Sequence, residues 1–179
     1  LFLCDVNRTV ALAWSAVFAD VSGVFVHQAS VFEGEADAIV SPANSFGFMD
    51  GGIDLAFLMT YGPRLQEIVQ DEIKKLPCQE LLVGQAFAVD LPHGHKVKAM
   101  ICAPTMRTPR RIVDADAVRL STRAALMCAQ DHGFASVIMT GMGAGSGAVP
   151  AGIVAEQMRK AWNDVFDPRP FPKSWREAA

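Results

Sequence analysis

The chain has 179 residues, a formal net charge of −3, 51% hydrophobic residues and a mean hydropathy of +0.23. That length and apolar content specify one compact domain with a full core and exclude a disordered chain. The mildly acidic balance disfavours nucleic acid as a partner, and no apolar run approaches the ~20 residues of a membrane-spanning helix.

Strands and helices alternate along the sequence. Leu1 to Asp5 is apolar but short and lacks a basic leader, so it is read as a first strand rather than a signal peptide. Val10, Trp14, Val17 and Phe18 recur at helical spacing. Val24 to His27 is a second strand, and Asp37 to Val40 a third whose continuous apolar character suits burial on both faces. Ile53 to Tyr61 is a helix, and Pro63 begins another that runs to about Lys75. Gln85 to Val89 and Val97 to Ala103 are strands joined by the turn-rich Leu-Pro-His-Gly-His-Lys. Ala115 to Gln130 is a helix, Ser136 to Thr140 a strand, and Pro150 to Trp162 a helix with an apolar stripe. The expected fold class is therefore α/β, a largely parallel sheet with helices on both faces. The tail after Phe166 is proline-rich and is expected on the surface. Cys4, Cys78, Cys102 and Cys128 lack metal or disulfide spacing and read as reduced thiols, most of them buried, which makes the cytoplasm the expected compartment.

Two segments carry chemistry. From Asp37 to Asp54 a strand runs through Ser41-Pro42-Ala43-Asn44 into a turn and the Gly51-Gly52 pair, which opens the helix at Ile53. From Val137 to Pro150 a strand is followed by Gly141, Gly143, Gly145 and Gly147, with Ala144 and Ser146 between them. A glycine loop that ends at a helix start leaves backbone N–H groups unpaired, a ready site for phosphate. Two such loops at strand ends suggest a diphosphate-sized ligand held between them. Each candidate has a structural competitor. Asn44 is a ligand contact or a turn residue bonding its own backbone. Asp54 is a functional carboxylate or one favoured by the helix dipole. Asp50 is a rival carboxylate or a cap. Phe46 and Phe48 line a pocket or pack over the loop. Arg107, Arg110 and Arg111 are read as a solvated face, and His93 and His95 as exposed turn residues without a third metal ligand.

Asp-Ala-Ile-Val, Pro-Ala-Asn44 and Gly51-Gly52-Ile53-Asp54 resemble the first ligand loop of the macrodomain family. Ala103-Pro104-Thr105-Met106-Arg107 and the segment Gly141 to Trp162 are similar to later parts of that family, in the same order. The resemblance implies a three-layer α/β/α macrodomain with a mixed, largely parallel central sheet over residues 1–165, followed by a proline-rich C-terminal tail at 166–179. It implies binding of ADP-ribose or a close derivative by Asn44, Asp50, Gly51, Gly52, Ile53, Gly141, Gly143, Ala144, Gly145, Ser146 and Gly147. It also implies Asp54, with Asn44 on the distal ribose, as catalytic residues of a metal-independent hydrolase acting on an ADP-ribosyl or O-acetyl-ADP-ribosyl linkage. The alternative is a non-catalytic sensor of such a nucleotide. An ADP-ribosylated protein is the implied macromolecular partner, and no cofactor or metal is implied. The chain departs from hydrolytic members at Ser41 and Leu58, where Asn and His are common. It also departs at Met49-Asp50, where their glycine run is longer, and at Ser146-Gly147-Ala148, where they carry an aromatic. The family's base-reading Asp is replaced by Ser30, which predicts weak discrimination among bases.

Overall fold

The computed structural model describes residues 1–178 and contains a six-stranded sheet in the order β2-β1-β6-β3-β5-β4. The strands are β1 (Phe2–Cys4), β2 (Phe25–His27), β3 (Ala36–Ser41), β4 (Phe87–Asp90), β5 (Val97–Cys102) and β6 (Val137–Met139). All neighbours pair in parallel except the edge strand β4, which runs antiparallel to β5. A parallel sheet needs cover on both faces, and the helices supply it: α1 (Arg8–Val17), α2 (Gly52–Tyr61), α3 (Leu65–Lys75), α4 (Asp116–Asp131) and α5 (Ala151–Phe166).

Side chains of the central strands alternate between two cores, as the period of a strand requires. Ala38, Val40, Ala99, Ile101, Val137 and Met139 join Val10, Trp14, Val118, Val154 and Met158 under α1, α4 and α5. Ile39, Met100, Cys102 and Ile138 join Phe57, Leu65, Val69 and Ile73 under α2 and α3. The mixed, mostly parallel sheet expected from the sequence is thus present, with three layers.

The boundaries differ in places for local reasons. Gln85 was expected in β4, but its side chain accepts from Leu82 N–H and its own N–H bonds Leu82 O, so it closes a turn and the strand begins at Phe87. Helix α5 passes Trp162 and runs to Phe166, since Asp164 takes a two-pronged salt bridge from Arg119 and Phe166 packs on Trp162. The tail carries a short helix, α6 (Trp175–Ala178), unforeseen in the sequence; Ser174 Oγ accepts from Glu177 N–H and Glu177 reaches back to Lys173 N–H. The rest of the tail is mostly exposed, and of the cysteines only Cys78 is.

Trp14 joins two of the covering helices. It is fully buried on α1, and its indole N–H points at Met158 Sδ on α5, 3.4 Å away. Trp14→Ala should cost on the order of 3–5 kcal/mol, read as a lower denaturant midpoint in equilibrium unfolding.

Candidate functional site

Because β1, β6, β3 and β5 are parallel, their carboxyl ends share one edge, and the segments leaving them surround a cavity of about 500 Å³. That volume lies within the ~300–1,000 Å³ range of small-molecule sites. The residues expected to bind the ligand or act on it line the cavity: Asn44, Asp50, Gly51, Gly52, Ile53 and Asp54 from the first loop, Gly141, Gly143, Ala144, Gly145, Ser146 and Gly147 from the second. Strands β3 and β6 are neighbours, which sets the two loops side by side. They nearly touch, since a Cβ at Gly52 would lie 3.5 Å from Ser146 Oγ.

The glycine loop is held from outside and open within. Gly147 O accepts from Ile112 N–H at 2.8 Å, and a Cβ at Gly147 would come within 2.6 Å of both Gly143 O and the Ile112 side chain. A Cβ at Gly145, by contrast, would meet nothing within 4 Å. Among the described residues, the N–H groups of Gly143, Gly145, Ser146 and Gly147 donate to no group of the chain. No side chain caps the first turn of α2 or of α5 either. Unsatisfied donors on facing loops have the geometry on which an anion can be held.

Asp5 was missed as a site residue, having been read only as the end of a strand. One carboxylate oxygen accepts from Asn7 N–H at 2.8 Å, and the other from Thr140 Oγ and Gly141 N–H at 3.0 and 3.1 Å. Asp5 therefore pins the start of the glycine loop to the end of β1. Its signal was a carboxylate at a strand end, two residues before the α1 cap Asn7.

Asn44 is 5% exposed and organises its own loop. Its Oδ1 accepts from Phe46 and Phe48 N–H, both at 3.2 Å, and its Nδ2 donates to Phe48 O at 2.8 Å. The turn role weighed in the sequence is thus realised at a position that also lines the cavity. The two phenylalanines separate: Phe48 lines the cavity and is 50% exposed, whereas Phe46 lies under the Arg107 guanidinium, 4.9 Å from the ring centroid. Arg107 is paired with Glu80 at 2.8 Å, and neither it nor Arg110 nor Arg111 lines the cavity. His95 packs edge-on against Tyr61, and among the described residues no group of three or more His, Cys, Asp or Glu is arranged to hold a metal ion. Leu58 packs with the core under α2 rather than at the cavity.

Asp54 stands in the first turn of α2, partly buried in the cavity wall. Its Oδ1 accepts from Ser41 Oγ at 2.5 Å. Burial pushes its carboxyl up to about 6; the Ser41 hydrogen bond opposes that rise and the negative charge of Asp50 adds to it. Beneath it, burial and the Asp54 charge together push the Cys102 thiol far upward, so Cys102 stays protonated. A carboxyl near 6 is largely ionised at neutral pH and still basic enough to take a proton.

The Macro domain family profile matches residues 40–158 of the chain. The chain belongs to the macrodomain family. An uncharacterised protein of Aquifex aeolicus is 36% identical over 152 residues, covering 83% of this macrodomain and 85% of that protein. Among solved structures, the macrodomain of Mycobacterium tuberculosis DarG superposes with a TM-score of 0.67 at 22% identity, over 78% of this chain and 89% of that one. Thermosipho africanus DarTG in complex with ADP-ribose gives 0.60 at 16% identity, over 81% of this chain and 39% of that one. The Oceanobacillus iheyensis macrodomain with ADP gives 0.61 at 19% identity, over 73% and 72%. No helix of this macrodomain, among the described residues, is long and apolar enough to cross a membrane.

The raised carboxyl of Asp54 has a consequence for stability. An unfolded Asp ionises near its usual ~3.9, before the folded one does, so ionisation favours unfolding as pH rises from about 4 to about 6. Asp54→Asn removes that charge and keeps an acceptor for Ser41. The variant should be more stable than wild type at pH 8 by on the order of 1–3 kcal/mol, with the difference shrinking toward zero below about pH 4. Thermal melts of both proteins across that pH range measure it.

Proposed function

We propose that this macrodomain binds ADP-ribose or a close derivative in the cavity and hydrolyses an ADP-ribosyl or O-acetyl-ADP-ribosyl linkage. The ligand class is supported by the ADP-ribose and ADP complexes of the DarTG and Oceanobacillus iheyensis proteins. It is supported equally by the unpaired donors of the glycine loop facing the start of α2. The diphosphate lies along Gly143 to Gly147 and Gly51 to Ile53, and the distal ribose reaches the wall formed by Asn44 and Asp54.

The observation that carries the hydrolytic reading is a carboxylate at about 6, partly buried beside an anion cradle. Asp54 takes a proton from a water molecule as that water attacks the anomeric carbon or the ester carbonyl. The bond to the leaving oxygen breaks, and the proton is returned to the leaving group. Asp50 is the next carboxylate on the cavity wall. One observation favours a non-catalytic sensor: the Asn44 amide is already committed to the Phe46 and Phe48 backbone. An ADP-ribosylated protein is the proposed macromolecular partner, and the cytoplasm the proposed compartment.

Because a Cβ at Gly145 meets nothing within 4 Å, Gly145→Val should fold normally while adding bulk to the cavity-lining loop. Its affinity for ADP-ribose should fall by on the order of tenfold or more in calorimetry. Unchanged affinity in the folded variant would move the ligand elsewhere.

The two function classes separate at Asp54. Wild type should release ADP-ribose from an ADP-ribosylated protein or from O-acetyl-ADP-ribose, with an acid limb near pH 6. Asp54→Asn should bind ADP-ribose nearly as well while turnover drops by roughly 10²–10⁴-fold. Binding by wild type without turnover on either substrate would establish the sensor instead.

A further inference from the structure

We propose that Ser41 is a positioning residue for Asp54: its buried hydroxyl clamps one carboxylate oxygen, so that only the other faces a water molecule in the cavity. The inference rests on Asp54 being the base described above, and it concerns the residue at which this chain has Ser where hydrolytic relatives commonly have Asn.

Ser41 is the last residue of β3 and is completely buried. Its Oγ lies 2.5 Å from Asp54 Oδ1, a short contact in the range of hydrogen bonds to ionised oxygen. Having one proton, the hydroxyl gives it to Asp54, and its lone pair accepts from Ala43 N–H at 3.3 Å. Donation is thus directed by the backbone, and the hydroxyl cannot turn to serve the loop as donor. Asp54 Oδ2 makes no hydrogen bond within the described residues, and it is not among their buried unpaired atoms. It is therefore accessible to solvent, on a residue that lines the cavity.

Titratable groups around Asp54 are few. Asp50, in the loop ahead of α2, opposes its ionisation. Cys102, the β5 partner of Ser41 in the sheet register, is a protonated thiol and carries no charge. The glycine loop from Gly141 to Ala148 holds no titratable side chain. Asp5, farther along the cavity wall, is consumed by Asn7, Thr140 and Gly141. Ser41 is the one side chain bonded to Asp54 that favours its charged form. Removing that hydroxyl should both free the carboxyl to rotate and make it harder to ionise.

The test is a pair of pH titrations on the full chain: the Asp54 carboxyl followed by carbon-13 NMR, and hydrolysis of ADP-ribosylated protein. In Ser41→Ala the carboxyl midpoint should rise from about 6 by about one pH unit, a tenfold change in ionisation, and the acid limb of turnover should rise with it. Ser41→Thr keeps the hydroxyl and should titrate as wild type. Ser41→Val matches Thr in volume and should titrate as Ala, so the comparison survives if Ala leaves a void that the fold does not tolerate. Equal midpoints with and without the hydroxyl overturn the proposal, as does a shifted midpoint with an unmoved acid limb. A shifted midpoint in a protein whose wild type shows no turnover supports the clamp and rejects hydrolysis, separating the two readings.

Discussion

Parallel pairing of β6 between β1 and β3 is the constraint on which the cleft depends. Parallel strands all end at one edge, and each must leave it through a loop whose first donors have no ladder to join. Here the middle strand exits through a glycine loop, and its neighbour exits through the loop that starts α2. The donors that the sheet cannot use are thereby concentrated on facing walls. Asp5 makes that arrangement specific, because its carboxylate satisfies only the first donor of the glycine loop, at Gly141, and ties it to β1. Farther along, the N–H groups of Gly143, Gly145, Ser146 and Gly147 donate to no group of the described residues.

The same edge holds Asp54, a strongly perturbed carboxyl, and two physical effects oppose each other there. A carboxylate in the first turn of α2 is favoured by the helix dipole, yet the surrounding walls remove enough water to push it up to about 6. A fold built for stability alone would place a neutral side chain at that position. Keeping the charge, with a serine hydroxyl to hold it, gives up local stability, as expected of a residue with the proposed role of Asp54.

Much of this was legible in the sequence because it depends on local rules. Alternating apolar runs and helical spacing located five of the six helices and all six strands of the described residues. Boundaries are off by one or two residues in several places, as at α3, and a side chain accounts for the differences at Gln85 before β4 and at Asp164 in α5. The two loops were legible because glycine at alternate positions has few other uses. What escaped depends on contacts between distant residues. Asp5 and Thr140 are 135 positions apart, and nothing near Asp5 announces that it organises the start of the glycine loop. Ser41 read as a missing Asn, because its partner Asp54 lies on another element. For Asn44 the turn reading is realised: its amide bonds the Phe46 and Phe48 backbone at a position that lines the cavity.

The contact between Ile112 and the glycine loop bears on the thermodynamics of recognition. Ile112 hydrogen-bonds Gly147 and fills the space behind Gly143 and Gly147. The loop is therefore held in shape by contacts within the chain itself. A guest entering it meets donors already aimed, and loses its own freedom without also having to order the loop. For the proposed ligand, association would resemble docking to a rigid surface, and changes at Ile112, which does not line the cavity, would act from behind the loop.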